Sequence, residues 1–87
     1  MTPTHEPDAR RFTLPTTPTS VLDYELSGSH VVFTHTGVPP AYRGQGLAAQ
    51  LVEAGLAWAR DQGLKVVPAC SYVHVYIQRH PEWQNLV

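Results

Sequence analysis

The sequence predicts an α+β domain: an antiparallel β-meander followed by a strand–loop–helix–strand–helix unit, with helices packed on one mixed sheet. Three observations carry this. Runs rich in β-branched residues precede a turn signal and follow it, around Ser27-Gly28-Ser29. The strongest helical periodicity, Leu47 to Gln62, opens directly after a loop rich in proline and glycine. A short apolar run, Leu64 to Pro68, returns after Gly63. A strand, a helix and a strand with a short return imply a parallel pair joined by a right-handed crossover.

Composition narrows the function classes. The chain has 87 residues, enough for one domain. A chain this short buries only about two-thirds of its unfolded surface, so a substrate site is shallow or shared with a partner. Six basic and seven acidic residues leave a net charge of −1. No basic run is visible, so nucleic acid is not the expected partner. A hydrophobic content of 43% argues against a disordered chain. The lone Cys70 cannot form an internal disulfide, which fits a reducing compartment. The start is polar, unlike a signal peptide, and no apolar run reaches membrane-spanning length. The expectation is a cytoplasmic protein.

In chain order, residues 1–10 read as a polar, flexible tail, and 11–87 as a single domain. Arg11 to Leu14 is a short strand, interrupted by Pro15 to Pro18. Thr19 to Leu26 and His30 to Val38 are strands, the second rich in valine and threonine. Pro39 and Pro40 end it, because neither can donate to a ladder. In the long helix, Leu47, Leu51, Gly55 and Trp58 form one stripe, with Ala48, Val52, Leu56 and Ala59 beside it. Gly63 is a suitable stop. Ser71 is placed to cap a second helix over Tyr72 to His80, with Val73, Tyr76 and Ile77 inward. Pro81 ends it, and Trp83 and Leu86 in the final segment tuck against the core.

The chemistry centres on the loop between the third strand and the first helix, Val38 to Ala48. The first amides of a helix lack intrahelical partners and carry roughly half a positive charge. Gly44 and Gly46 have no Cβ, so an anion can approach the backbone closely. No GxxxxGK[ST] string occurs, and Ala49 stands where a dinucleotide fingerprint needs its third glycine. The alternative is a glycine-rich turn that merely opens a core helix.

Arg43, Gly46 and Ala48 instead resemble the acyl-CoA loop of the GNAT acetyltransferases, Gln/Arg-x-x-Gly-x-Gly/Ala. The wider string is similar to a subgroup of very small, stand-alone GNAT-like domains. It comprises Val38-Pro39-Pro40, Gly63 to Pro68, Cys70 to Val73, and Tyr76-Ile77 with His80-Pro81-Glu82-Trp83. The resemblance covers Phe12 to the C-terminus and implies a truncated GNAT-like fold. It implies binding of acetyl-CoA or CoA through Val38, Arg43, Gly44, Gln45, Gly46, Leu47 and Ala48, with Cys70 as a further contact. The pantetheine arm would lie where the strand of Val31 to Val38 splays from that of Leu64 to Pro68.

The reaction implied is direct attack of an amine on the thioester. It needs a carbonyl polariser, a base and an acid. A backbone amide within 36–38 suits the first. Tyr76 occupies the place of the tyrosine that many GNAT enzymes use as acid; otherwise it is a core aromatic. The subgroup commonly has an acidic residue where this chain has Gly37. His35, on the face of Gly37, is therefore the candidate base, against a plain strand histidine. Cys70 is a candidate acyl acceptor or cofactor contact, against a small buried hydrophobe. The histidines show no metal-ligand spacing, so no metal is expected. Trp58 and Trp83 read as core.

The chain lacks the helices after the first strand and the last two strands, which build the acceptor pocket in longer members. The acceptor is then large, such as a lysine or N-terminus on another protein, or a second protomer completes the pocket, making a homodimer rather than a monomer. The competing functions are a CoA-binding module without turnover and a partner-binding domain that keeps only the fold.

Overall fold

The computed structural model describes residues 2–87. Strands β1 (Thr4–Glu6), β2 (Arg11–Leu14), β3 (Ser20–Ser27), β4 (His30–Gly37) and β5 (Lys65–Pro68) form one sheet in the order β1-β2-β3-β4-β5. The first three pairings are antiparallel, and β4–β5 is parallel. Helices α1 (Leu47–Asp61) and α2 (Ser71–Arg79) follow β4 and β5 respectively, and a 3-10 helix, Pro81–Leu86, ends the chain. The expected α+β meander with a mixed sheet is therefore what forms.

Alternation along the strands decides which face is covered. In β3, Ser20, Leu22 and Tyr24 are buried, while Val21 and Asp23 between them stay half-buried. Val31 and Phe33 of β4 and Val66 of β5 join the same core. Against that face pack Leu47, Leu51, Val52, Leu56 and Ala59 of α1, and Val73, Tyr76 and Ile77 of α2. Trp83 and Leu86 complete the core, as the sequence suggests. Among the described residues no α-helix packs on the other face, and Val67 remains 40% exposed there.

Close contact between α1 and the sheet rests on Gly55. A Cβ at this position would meet Leu22 Cδ2 at 2.9 Å and the Phe33 ring at 3.0 Å. At the far end of α1, Gly63 adopts a φ of +69° and its amide bonds the Arg60 carbonyl. The Leu64 amide bonds the Ala59 carbonyl, and the Lys65 amide bonds Ser29, which starts β5 beside β4. At α2 the cap position is Cys70, and Ser71 is already helical, one residue off the sequence expectation.

The expected flexible tail is corrected for residues 4–9, which form β1 and a 3-10 turn (Met1 lies outside the described residues). The physical reason is His5. Its ring stacks on Phe12 with centroids 4.2 Å apart, meets Trp58 edge-on at 4.8 Å, and shares a 2.6 Å hydrogen bond with the Tyr24 hydroxyl. An Arg11–Glu6 ion pair at 2.6 Å closes the same hairpin.

Two outcomes are expected. Gly55→Ala gains helix propensity of about 1 kcal/mol but overpacks a full core, which costs about 1–3 kcal/mol. Thermal unfolding should show net destabilisation, and an unchanged or raised Tm would refute the close-approach argument. Burial lowers the His5 pKa below its ordinary 6.5. The neutral ring is thus the docked form, so its contribution is present above 6.5 and lost as pH falls through the lowered value. An NMR titration of His5 should give a midpoint below 6.5, with β1 amides losing exchange protection beneath it; a midpoint at or above 6.5 would sink the idea.

Candidate functional site

The loop from Val38 to Gly46 takes its shape from two prolines and two glycines. β4 stops at Gly37, and a 3-10 turn over Pro40–Tyr42 follows, with the Tyr42 amide on the Pro39 carbonyl. Gly44 and Gly46 adopt φ of +84° and +76°, a region costly for other residues. A Cβ on either would meet nothing within 4 Å, so backbone conformation and not crowding requires glycine. Gly46 caps α1. Its carbonyl accepts from the Gln50 amide at 3.1 Å. Among the described residues, the six amides from Gly44 through Ala49 have no protein acceptor. The Arg43 Nε donates to the Val38 carbonyl at 3.1 Å, and the outer guanidinium nitrogens have no partner among the described residues.

These amides border an open groove of about 860 Å³. Arg43, Gly44, Gly46, Leu47 and Ala48 line one wall. The end of β4, from His35 to Val38, and then Pro39 and Pro40 line the floor. Pro18, Thr19 and Val21 line it as well, Val21 beside Gly37 by register, together with Tyr42 and Tyr72. Gln45 and Ala49 belong to the unpaired run, but neither residue is part of the lining.

A bulge in β4 decides which side chains reach this space. Tyr24 pairs with Phe33 but Asp23 pairs with His35, so Thr34 is an extra residue. Strict alternation would put His35 on the covered face with Val31 and Phe33. The bulge instead turns Thr36, opposite buried Leu22, towards the helices. His35 and Gly37 share the open face, opposite Asp23 and Val21. The His35 ring lies over Gly37, since a Cβ there would meet its Nε2 at 3.0 Å.

β4 runs past the end of β5, the place where the sequence expects the two strands to splay. Their pairing ends at Phe33–Pro68, and the Cys70 amide closes it on the Phe33 carbonyl at 2.9 Å. Cys70 then sits half-buried behind Thr36, with Sγ 3.5 Å from the Thr36 hydroxyl. It touches a lining residue without itself lining the groove. Burial pushes its pKa up, but the Thr36 hydroxyl and the amides of Val73, Tyr72 and Thr36 pull it down further, leaving the thiol below its ordinary value. The helix amides act on the sulfur electrostatically, without a side-chain cap bond.

Tyr76 is not brought to the groove. It is 8% exposed, and its ring stacks on His80 at 4.0 Å. Burial first, then Glu53, Glu82 and Tyr72, raise its pKa. The phenol at the groove belongs to Tyr72, one helical turn earlier and 41% exposed. Spacing alone puts both on one stripe of α2. Only the overhang of the first turn separates them. Burial raises the Tyr72 pKa, and Arg79 opposes this. The second missed group is Pro18, Thr19 and Val21, which the sequence presents only as a connection and a strand start.

Alkylation of Cys70 by iodoacetamide across a pH series should give a midpoint below the usual thiol value of 9.0. Thr36→Val should move it upward. A wild-type midpoint at or above the usual value would refute the hydrogen-bonded thiol.

Comparison with known proteins agrees with the fold. The family model for GCN5-related N-acetyl-transferase matches residues 11–86. The protein NATD1 of Gallus gallus is 40% identical over 68 residues, covering 77% of this chain and 62% of that protein. NATD1 of Homo sapiens is also 40% identical over 68 residues, with 77% and 60% covered, and that of Danio rerio is 35% identical, with 77% and 62%. The chain thus spans less than two-thirds of the length of these relatives. No helix among the described residues is long and apolar enough to cross a membrane. The profile match over most of the chain and the strand–loop–helix geometry agree: the chain belongs to the GCN5-related N-acetyltransferase family, whose members in general bind acetyl-CoA and act on an amine.

Proposed function

We propose that this chain is a small, cytoplasmic N-acetyltransferase that binds acetyl-CoA at the loop of residues 38–48 and acetylates an amine. The observation that carries this is the run of unpaired amides from Gly44 through Ala49 at the positive end of a 15-residue helix, of which Gly44, Gly46, Leu47 and Ala48 line the groove. A pyrophosphate supplies the acceptors that such a run lacks. Gly44 and Gly46 hold positive φ, line the groove and have nothing within 4 Å of a Cβ position, so a phosphate has room to approach this backbone and the residues present fit the group. Arg43, oriented by the Val38 carbonyl, adds a fixed positive charge beside them.

When bound, acetyl-CoA supplies the acetyl group already activated as a thioester. The amides of Gly44 to Ala49 hold its phosphates. The free end of β4 beyond Phe33 offers backbone groups to the pantetheine arm and to the carbonyl. His35 Nε2 receives the proton that the amine must lose. Tyr72 holds a proton at its hydroxyl for the departing sulfur, a role the motif would give to Tyr76. Cys70, held by Thr36, supports the floor of the cleft.

A second reading, a CoA-binding module without turnover, has its own support. Gly37 brings no carboxylate beside His35, and Tyr76 is packed away from the groove. Calorimetry and turnover assays separate the two.

Acetyl-CoA and CoA should both bind. At 100 times the dissociation constant, the ligand should stabilise the fold by about 2.7 kcal/mol in a thermal-shift assay. Gly46→Val strains the αL cap and turns the amides, and should weaken CoA binding at least tenfold while circular dichroism remains native. Absence of wild-type binding at millimolar ligand would remove the proposal. Binding without acetyl transfer to any amine would leave the module reading.

A further inference from the structure

We infer that Thr16 is a positioning residue for the acetyl acceptor: its buried hydroxyl holds Pro18 and Thr19 in the part of the groove wall that the acceptor meets. The inference rests on the acetyl-transfer reading above and deepens it by naming what shapes the acceptor side of that site.

The connection between β2 and β3 runs from Pro15 to Thr19. Pro18 and Thr19 line the groove, yet both are exposed, so core packing does not fix them. Pro18 has no amide hydrogen to donate. Among the described residues, no backbone hydrogen bond holds the amide of Thr17 or Thr19. A surface connection with so few ties is expected to be mobile.

Thr16 supplies the missing tie. It is 6% exposed, and its amide donates to the Leu14 carbonyl at 2.8 Å. Its hydroxyl donates to the Pro18 carbonyl at 2.8 Å. The Ser20 hydroxyl, on a residue with no exposed surface, lies 2.6 Å from the same Thr16 oxygen. A hydroxyl has one proton, and that of Thr16 is directed at Pro18. The proton of the second contact therefore comes from Ser20. The result is a chain in which Ser20 donates to Thr16 and Thr16 donates to Pro18, each bond polarising the next.

The sheet order decides what this wall meets. β3 lies on one side of β4, and β5 on the other. The end of β4 beyond Phe33, which the proposal gives to the pantetheine arm, has lost its strand partner on the β5 side. Pro18 and Thr19 lead into β3, on the opposite side. There Val21 pairs with Gly37, over which the His35 ring lies. An amine that gives its proton to His35 approaches along this side, next to Pro18 and Thr19. Attack on the thioester needs the nitrogen held close and aligned, and a wall that shifts loses that advantage. Thr16 is not part of the lining and acts through the two residues it holds.

The test uses the full chain, acetyl-CoA and a model peptide with a free N-terminus and one lysine, with acetylation read by mass spectrometry. Thr16→Val keeps the shape, removes both side-chain hydrogen bonds and leaves the buried Ser20 hydroxyl without its acceptor. Thr16→Ser keeps both bonds. Ser20→Ala removes only the first donor of the chain and carries the test if Thr16→Val does not fold. Thr16→Val should raise the peptide KM roughly fivefold or more, while kcat, the acetyl-CoA KM and the calorimetric CoA affinity stay within about twofold. Ser20→Ala should raise the peptide KM by a smaller factor, and Thr16→Ser should match the wild type. Amide order parameters of Thr17 and Thr19 should fall in Thr16→Val, with those of α1 and β4 unchanged. A peptide KM that stays at the wild-type value, an equal loss of CoA affinity, or no rescue by Thr16→Ser would overturn the inference. Wild-type protein that fails to bind acetyl-CoA, or binds it and acetylates no amine, would instead overturn the reading on which the inference rests.

Discussion

Helix α1 meets the sheet through a glycine. At Gly55 the helix backbone comes close enough to Leu22 and Phe33 that a methyl group has no room. That contact sets the height of the helix over β3 and β4. Leu51 and Val52 before it, and Leu56 and Ala59 after it, fill the space on either side with no exposed surface. The helix axis is thereby fixed, and with it the position of its first turn. The unpaired amides from Gly44 onward lie beside the free end of β4 because the core further along holds them there. A well-packed interior tolerates little sliding, so the site inherits its precision from residues that no ligand touches.

The end of β4 is the second determinant. One inserted residue, Thr34, reverses which side chains face the helices. Thr36 turns inward to the Cys70 sulfur, and His35 turns to the open face over Gly37. Two chemical groups are thus sorted to different places by a single register shift. The parallel pairing of β5 stops at Pro68, which leaves this part of β4 without a strand partner on one side, with the Thr36 amide towards the Cys70 sulfur. The pairing limit, the bulge and the proline-rich turn at Pro39 and Pro40 together make the groove. None of them alone would.

Much of the architecture is legible in the sequence because its signals are local. β-branched runs, the Ser27-Gly28-Ser29 turn, the apolar stripe of α1 and the stop at Gly63 place β3, β4, α1 and β5 to within a residue or so. The glycine loop is legible for the same reason: positive φ and unpaired helix amides are properties of a short segment. β1 was not legible. Thr4-His5-Glu6 is polar and short, and it pairs because Phe12, Tyr24 and Trp58, distant in sequence, form the surface on which His5 lies. Tyr72 was missed in favour of Tyr76 because period places both on one stripe, and only the position of the groove distinguishes them.

The sequence by itself therefore determined the order and type of the main elements, the glycine-dependent loop and the family resemblance, since each depends on residues within a few positions of one another. Tertiary structure decided what those elements present to the groove. It turned His35 out and Thr36 in, buried Tyr76 against His80, lowered the Cys70 pKa through Thr36 and the α2 amides, and brought Pro18, Thr19 and Val21 to the groove. The physical reason is common to all four. Register shifts, ring stacking and groove walls arise from contacts between segments far apart in the chain, and periodicity carries no information about them.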